Sequence, residues 1–477
     1  MSTRRKFIKT SALTVAGIAL SRIATANKTG AASYKRIIGA NERVNIACVG
    51  IGNQGSYDIK RFDRTSIANV VALCDVDMGA KHTQEIMEKF PAATRYKDFR
   101  VMFDKSVSTF DAVVACVPDF AHFPIAMLAL SENKHIFVEK PMARTFFEAE
   151  LMINAAKKRP NLATQVGNQG HSEENYFQFK AWKDAGIIKD VHSVIAHMNS
   201  DRRWYAYDTN IGKFPSDTQI PETLDWDTWL SAQMFHDYSD QFHYGNWRSW
   251  YDFGMGVLGD WGAHILDTVH EFLELGLPEK VECLRADGHN DYFFPKSSTL
   301  KFHFPKRKKM PPMTITWYDG TDNVPLVPDG YGEIEIDPNI PPVAGGKIKP
   351  ARLGPGKEIY SKELTFKGGS HGSQLTIIPE QKAKEMEPVL SKINVPASTS
   401  DHYKNFLLAC KGEERTRSPF EINGVLSQVF SLGVIAQRLN TSFTFDRKTK
   451  TITDNLFANA LLTQSPPRKG WELFYNL

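Results

Sequence analysis

The chain has 477 residues, of which 42% are hydrophobic and 23% are charged, so it is long enough and apolar enough to form two or more folded domains. The formal net charge is +4, but five of the 58 basic residues lie in residues 1–26, where no acid occurs, and the remaining 53 face 54 acidic residues. A balance of this kind gives no support to nucleic-acid binding, and we expect no nucleic-acid partner.

The first 26 residues have the composition of an export signal. A basic segment at residues 2–9 precedes a short apolar run at residues 12–20, and Ala24 and Ala26 offer a cleavage site. The apolar run is too short to span a bilayer, and no cysteine follows it to carry a lipid, so we expect no stable membrane anchor. Arg4 and Arg5 resemble the pair of a twin-arginine signal, which exports folded proteins, and this predicts a periplasmic location.

A glycine turn follows the first strong strand pattern. Residues 44–49 are apolar and largely β-branched, as in a parallel strand covered on both faces. Gly50, Gly52 and Gly55 follow at the G-x-G-x-x-G spacing. Such glycines allow a tight turn, close approach of the backbone to a pyrophosphate, and close packing of helix on strand. A turn without a ligand is the alternative for this spacing taken alone.

The next strand argues for a nucleotide. Residues 70–74 are apolar and end at Asp75, close to the roughly 20-residue offset expected for an acid that binds ribose. The two strands together predict a dinucleotide site with the phosphates at the N-terminus of the helix. Because a carboxylate accepts hydrogen bonds from the ribose hydroxyls and repels a 2′-phosphate, we predict NAD rather than NADP.

Strand and helix patterns alternate from residue 43 to residue 166, as a doubly wound Rossmann domain requires. Further strands are predicted at residues 111–116, 135–138 and 162–166, and a helix at residues 146–158. Ligands of such sheets lie outside the carboxyl ends of the strands. Residues 117–122 and 139–141 should therefore border the cofactor crevice.

A second, α+β domain with a large and mostly antiparallel sheet is predicted for residues 167–445, followed by a C-terminal tail at 446–477 that packs on the fold. Strand patterns occur at residues 191–197, 298–303 and 313–317, and closing helices at 401–410 and 421–439. Two stretches rich in proline and glycine, 320–356 and 367–375, are predicted to be surface loops. Five cysteines, an odd number, do not indicate a disulfide framework.

Three residues have the chemistry of a catalytic group. Lys140 follows a predicted parallel strand, where its ammonium can reach the crevice, although a solvated charge is the alternative. Asp260 and His264 are four residues apart and share one helix face. His264 can accept a hydroxyl proton as a general base, and Asp260 can orient it or bind substrate. The alternative is a helix charge beside a packed histidine, and two ligands at this spacing do not indicate a metal.

Residues 225–261 are crowded with aromatic side chains, interleaved with polar ones that include Arg248. Sugars present apolar C–H faces between hydroxyls, so stacking rings mixed with hydrogen-bonding groups suit a carbohydrate. Core packing should explain about half of these rings; we expect Trp247 and Arg248 to contact substrate. The turn at residues 167–171 either places His171 at the nicotinamide ribose or substrate, or is a plain connection.

Several motifs together resemble the Gfo/Idh/MocA oxidoreductase family over nearly the whole chain after residue 26. They are V-G-I-G-N-Q-G, C-D-V-D, V-P-D-F-A-H, V-E-K-P, G-N-Q-G-H-S, G-D-W-G-A-H-I-L-D and K-G-W-E-L. The resemblance implies that Lys140, Asp260 and His264 form the catalytic group. It implies a further set of cofactor-binding residues beside the three glycines, Asp75 and Lys140, namely Asn53, Gln54, Pro118, Asp119, His122, Glu139 and Asn168.

The resemblance leaves three functions open. The first is hydride transfer between a tightly bound NAD and a sugar, glycoside or polyol hydroxyl. The second is a redox-neutral glycoside hydrolase that works by oxidation, elimination and reduction, and the third is a secreted sugar-binding module without activity. The family also implies a homo-oligomer. A periplasmic enzyme has no free NAD pool, so the cofactor should be retained through many turnovers.

Overall fold

The computed structural model describes residues 43–216, 218–331, 353–463 and 466–477. The predicted export signal lies outside the described residues, as does most of the first predicted loop. In chain order the first sheet region contains β1 Val44–Val49, α1 Gln54–Arg64, β2 Ala68–Cys74, α2 Lys81–Lys89, β3 Thr94–Tyr96, α3 Phe99–Ser106, β4 Ala112–Ala115, α4 His122–Ser131, β5 His135–Val138, α5 Phe146–Lys157 and β6 Thr164–Val166.

The remaining elements belong to the second sheet region and the tail. They are α6 Glu174–Asp184, β7 Val191–Met198, α7 Trp226–Leu230, α8 Gly256–Ile265, α9 Asp267–Phe272, β8 Lys280–Asp287, β9 Ser297–Phe304, β10 Met313–Asp319, β11 Gly356–Ser361, β12 Thr365–Gly369, β13 Thr376–Ile378, α10 Glu380–Leu390, α11 His402–Cys410, α12 Phe420–Leu439, β14 Phe443–Asp446, β15 Thr451–Ile452 and α13 Leu456–Ala460.

The first sheet is fully parallel, with the strand order β3-β2-β1-β4-β5-β6. Its central strands are buried on both faces, which is why their sequences read as continuous apolar runs rather than alternating ones. The direction of winding reverses between β1 and β4, and such a switch point opens a crevice at the carboxyl ends of the strands. The predicted Rossmann architecture is confirmed.

The second sheet has nine strands in the order β13-β12-β11-β7-β10-β9-β8-β14-β15. Within this sheet, β7 and β10 are the only described neighbours that pair in parallel, and the other neighbours pair antiparallel. The predicted α+β domain with a mostly antiparallel sheet is therefore confirmed. The prediction of a surface loop at residues 367–375 is wrong, because the stretch begins inside β12 and Ser370 is fully buried.

Helix α12 connects the two sheets. Fourteen of its 20 residues are buried, and it packs on α5 and α8 and reaches β6, β8 and β9. The C-terminal tail closes the Rossmann side, where the rings of Trp471 and Phe474 lie 6.0 Å from the ring of Phe99. The last residues thus pack on the first domain, while β15 and Arg468 of the same tail contact the second domain.

All five cysteines are free, and Cys48 and Cys74 are buried in strands of the Rossmann core, as the sequence predicts. Among the described residues, no cluster of three or more histidine, cysteine, aspartate or glutamate side chains has the arrangement of a metal site. In the same part of the chain, none of the helices combines the length and apolar character needed to cross a bilayer.

Candidate active site

A cavity of about 830 Å³ lies at the carboxyl ends of the Rossmann strands and is covered by residues of the second domain. Most of the predicted site residues line it. The Rossmann domain contributes Gly50, Gly52, Asn53, Gln54, Asp75, Pro118, Asp119, Glu139 and Lys140. The second domain contributes Trp247, Arg248, Asp260 and His264.

The glycine turn forms one end of the cavity, which we call the nucleotide end. Gly50 has φ +77°, and a Cβ atom there would lie 2.2 Å from the carbonyl oxygen of Cys116. A Cβ atom on Gly55 would lie 2.0 Å from the carbonyl oxygen of Gly50, so α1 packs on the turn only because that residue is glycine. Gly55 therefore supports the turn from behind and does not line the cavity, in accord with the packing role expected from its spacing.

Asp75 is anchored at the end of β2. Its Oδ2 accepts a hydrogen bond of 2.9 Å from the backbone N–H of Ile51, and its Oδ1 accepts one of 3.0 Å from Asp77. Burial raises the pKa of this carboxyl, and the two backbone donors oppose that effect. Both donors hold the carboxylate at the cavity wall beside the glycine turn. The glycine turn and this acid fit a dinucleotide with its ribose near Asp75.

Lys140 and Asp260 meet at the other end, which we call the reaction end. The Lys140 ammonium donates to the Asp260 carbonyl at 2.9 Å and to its Oδ1 at 2.8 Å. Arg203 Nε donates to Asp260 Oδ2 at 2.8 Å. Burial by itself raises the pKa of Asp260, but Arg203 and Lys140 lower it well below its usual range. The carboxylate therefore orients the lysine. The expectation that it orients His264 is wrong, because cations occupy both of its oxygens.

His264 lies one turn after Asp260 on α8, and it is 5% exposed. Its ring stacks on that of His371 with centroids 3.9 Å apart and planes 19° apart. Burial, His371 and Lys140 together hold its pKa well below the usual range. Within the described part of the chain its Nδ1 has no hydrogen-bond partner. His264 is thus a neutral imidazole at the reaction end.

Three residues of the reaction end were not predicted from sequence. His371 follows β12 in the stretch predicted to be a surface loop, and its backbone N–H donates to the carbonyl of His264 at 3.1 Å. Arg202 and Arg203 follow β7, and both contact Asp260. Two features of the sequence could have pointed to these residues. One is the pair of adjacent arginines shortly after a strand, and the other is the histidine within the G-G-S-H-G sequence.

Glu139 lines the cavity next to Lys140 and shares a hydrogen bond with the carboxyl of Asp58 behind it. Burial and the neighbouring Asp58 raise the pKa of Glu139 well above its usual range. Asp58 also accepts hydrogen bonds from the Cys116 thiol at 3.0 Å and the Tyr403 hydroxyl at 2.9 Å. Two carboxyls that share a hydrogen bond must hold a proton between them, so Glu139 presents a carboxyl without full charge to the cavity.

Two predicted cofactor contacts lie behind the cavity wall. His122 is 1% exposed, and its Nδ1 lies 2.9 Å from the carbonyl oxygen of Pro141. Asn168 is 2% exposed, and its side-chain amide donates to the carbonyl of Ala263 at 2.8 Å. Neither side chain lines the cavity. The prediction that they contact the cofactor directly is therefore wrong. His122 supports the E-K-P segment, and Asn168 supports helix α8.

The prediction that His171 contacts substrate is also wrong. Its side chain is fully buried, with Nδ1 2.9 Å from the carbonyl of Arg417 and its ring between Asp267 and Glu271. From the same turn, Gln169 lines the cavity instead. The turn at residues 167–171 thus reaches the site, but through a different residue from the one predicted.

The aromatic segment divides as expected. Trp229, Trp247 and Trp261 line the cavity. Trp226, Trp250 and Tyr251 are buried and do not line it. Three of these six rings therefore face the cavity, which has apolar faces beside its charged groups.

Two family models match the chain. Residues 44–167 match the oxidoreductase family, NAD-binding Rossmann fold, and residues 188–293 match the C-terminal alpha/beta domain of that family. Both matched stretches are therefore similar to the Gfo/Idh/MocA oxidoreductases. The first domain is an NAD-binding Rossmann domain, as the sequence predicts.

Relatives within this family include proteins of two named activities. An inositol 2-dehydrogenase of Salmonella paratyphi B is 33% identical over 143 residues, which are 29% of this chain and 41% of the relative. Glycosyl hydrolase family 109 protein 2 of Shewanella sp. (strain ANA-3) is 29% identical over 214 residues, which are 42% of this chain and 47% of the relative. The chain thus spans less than half the length of these curated relatives.

Solved structures share the fold at low identity. The WlbA dehydrogenase from Chromobactrium violaceum, crystallised with NADH and UDP-GlcNAcA, superimposes with a TM-score of 0.56 at 14% identity, covering 86% of this chain and 97% of that one. At this identity the likeness shows that the two proteins share the fold.

Proposed function

We propose that the protein is an NAD-dependent oxidoreductase that transfers a hydride between the cofactor and a hydroxyl-bearing carbon of a sugar, glycoside or polyol. One observation carries the proposal. Lys140 from the Rossmann domain and His264 from the second domain meet around Asp260, in the cavity that also contains the glycine turn. Binding alone does not require a buried base and an ammonium at the same end of a nucleotide cavity.

Each side chain has a separate task in this reaction. When bound, NAD supplies the hydride acceptor that turns a CH–OH carbon into a carbonyl. His264 takes the hydroxyl proton, because its imidazole is neutral and lines the cavity beside Lys140, and general-base catalysis of this kind contributes roughly 10²–10⁴-fold. The Lys140 ammonium stabilises negative charge on the substrate oxygen, and Asp260 holds the ammonium in place.

The carbohydrate class follows from the cavity wall and the relatives. Trp229, Trp247 and Trp261 provide apolar faces beside charged donors, which suits rings that carry hydroxyls. A relative named for its action on inositol, which is a polyol, supports the same class.

We also propose that the protein is exported through the twin-arginine route and acts in the periplasm with a retained cofactor. The support is the sequence of residues 1–26, with Arg4 and Arg5 before a short apolar run. Because free NAD is absent there, reduced cofactor must be reoxidised in place, by a keto-sugar or by the first substrate after elimination. The second route amounts to hydrolysis, and the similarity to a glycosyl hydrolase family 109 protein favours it as the second candidate.

One experiment separates these functions. The protein is purified from periplasm, part is denatured and assayed for released NAD(H), and the native remainder is incubated with glycosides without added cofactor. A keto-sugar product supports the oxidoreductase, whereas free aglycone with unoxidised sugar supports the hydrolase. Sugar binding without any change in nicotinamide absorbance would indicate a binding module. Protein that arrives empty and turns over only with added NAD would contradict the retained cofactor.

A further inference from the structure

The reaction end carries more positive charge than proton transfer and hydride transfer require. Four cationic side chains line it, namely Lys140, Arg202, Arg203 and Arg248. Asp260 forms ion pairs with three of them, Lys140, Arg202 and Arg203. Burial raises the pKa of Asp119 to about 7 and raises the pKa of Glu139 well above its usual range, which weakens the negative charge of both acids.

The four cations differ in how they are held. Lys140 and Arg203 both form hydrogen bonds to Asp260. Arg202 lies 3.8 Å from the same carboxylate and stacks over Trp261. These three cations thus all contact the carboxylate of Asp260.

Arg248 lacks even a shared partner. Its guanidinium lies 4.2 Å from the ring centroid of Trp247, and no carboxylate in the described segments is within ion-pair distance of it. Burial and the charge of Arg203 both lower its pKa, so the site as it stands opposes this positive charge. A half-buried cation without an ion-pair partner is only partly stabilised, and stacking on the indole holds the guanidinium in one orientation. Arg248 therefore has the properties of a preorganised anion-binding group.

We propose that the substrate is a sugar that carries an anionic group, a carboxylate or a sulfate ester, and that Arg248 binds this group while the adjacent hydroxyl carbon lies at Lys140 and His264. This inference rests on the proposed function. The planar fork of a guanidinium matches a carboxylate with two parallel hydrogen bonds. A cofactor phosphate is the other candidate anion, but phosphates belong at the glycine turn, whereas the charged groups that act on Arg248 are Arg203, Asp260 and Asp119 at the reaction end.

The test compares matched substrates on the protein with its retained cofactor. Each methyl hexuronide is paired with its neutral methyl ester, with the parent hexoside and with the 6-sulfate, in the gluco, galacto and manno series. The change in nicotinamide absorbance gives kcat/KM. We expect wild-type protein to prefer one anionic form over its neutral partners by about tenfold or more, and the favoured anion distinguishes carboxylate from sulfate.

The variant Arg248→Met should lower kcat/KM for the anionic sugar by about 10²-fold and change that for the neutral partner by less than about threefold. Arg248→Lys keeps the charge without the fork and should retain an intermediate preference. Arg64→Met removes an exposed arginine of α1 and is the control for charge loss alone, with an unchanged anionic-to-neutral ratio. Arg248→Lys keeps the test interpretable if the methionine variant does not fold.

Three results would overturn the inference. Neutral sugars that match or exceed their anionic partners would contradict it and leave the proposed function standing. Equal losses for both substrates in Arg248→Met, or a loss of retained NAD(H), would assign the residue to general support or to the cofactor. No absorbance change with any sugar would contradict the proposed function and the inference together.

Discussion

The nucleotide end and the reaction end of the cavity are built in different ways. The nucleotide end consists of turns that follow parallel strands of one domain, and its contacts are made by backbone and by one anchored carboxylate, Asp75. The reaction end joins side chains from both domains, with Lys140, Arg203 and His264 separated by 63 and 61 residues in the chain. The nucleotide end is therefore a local structure, and the reaction end exists only when the two domains are packed together.

This difference has an electrostatic consequence. Backbone N–H groups and glycines carry no net charge, so burying the glycine turn takes no ionised group out of water. At the reaction end, the clustered cations lower the pKa of Asp260 against the effect of burial, whereas burial, His371 and Lys140 together lower the pKa of His264. Substitutions at the two ends should accordingly have effects of different kinds.

The largest expected effect comes from His264→Ala, which should lower the rate of hydride transfer by roughly 10²–10⁴-fold and leave the content of retained NAD(H) unchanged. The readout is the single-turnover change in nicotinamide absorbance, together with nucleotide released on denaturation. His192→Ala removes an exposed histidine of β7 and serves as the control. Normal turnover in His264→Ala would show that His264 is not the base. Loss of both the rate and the retained nucleotide would show that the reaction end and the nucleotide end do not act independently.

Gly50→Ala should have the opposite pattern, with loss of retained nucleotide and a fall of about 2 kcal/mol or more in the free energy of unfolding. The added Cβ would lie 2.2 Å from the carbonyl of Cys116, at φ +77°. Gly186→Ala is a matched control, because Gly186 has φ +74° with nothing within 4 Å and so tests backbone strain alone, at about 1 kcal/mol. Urea unfolding measures both variants. Equal costs would show that the contact with Cys116 is unimportant.

Asp267→Asn probes the support behind the reaction end through pH. Asp267 is 2% exposed, and burial raises its pKa to about 7. Because the folded pKa exceeds the unfolded value near 4, its contribution to stability is full below about pH 4 and is lost as pH rises through about 7. The asparagine variant should therefore be more stable than wild type above pH 7, by about 1–3 kcal/mol, with no gain at pH 4. Urea unfolding from pH 4 to pH 8.5 measures it; a gain independent of pH would contradict the assigned titration.

The smallest effect concerns cofactor choice at the nucleotide end. Apoprotein should bind NAD roughly tenfold or more tightly than NADP, since a carboxylate beside a 2′-phosphate is a like-charge contact. Asp75→Ser should reduce this preference, because it removes the charge and leaves a small polar side chain. Fluorescence titration with both nucleotides measures the ratio. Tighter binding of NADP by wild-type protein would place the ribose away from Asp75.

Prediction from sequence succeeded where the contacts are local. The strands of the Rossmann domain, the glycine turn and Asp75 were located from patterns that span about 30 residues, because the hydrogen bond of Asp75 to Ile51 joins two strand ends that are neighbours in the sheet. The shared face of Asp260 and His264 was likewise predictable, since helical spacing alone determines it.

Prediction failed where long-range packing determines which way a side chain faces. His171 and His371 both stand beside glycines in turns that follow strands, and sequence reasoning selected the wrong one for the site. His171 is buried against α9, whereas the ring of His371 stacks on that of His264. Their positions depend on how β12 pairs with β11 and on how α8 and α9 lie across the sheet. Neither arrangement can be predicted from a short stretch of sequence.

The sequence by itself determined that this chain has a nucleotide-binding domain, where its glycine turn and acid lie, and which lysine, aspartate and histidine are suited to catalysis. The reason is that strand and helix periodicity and turn chemistry act over a few residues. Only the tertiary structure decided that Asp260 holds Lys140, and that Arg248 lies beside these charges without an ion-pair partner among the described residues. Charge pairing depends on distances between segments far apart in the chain, and packing of the two domains sets those distances.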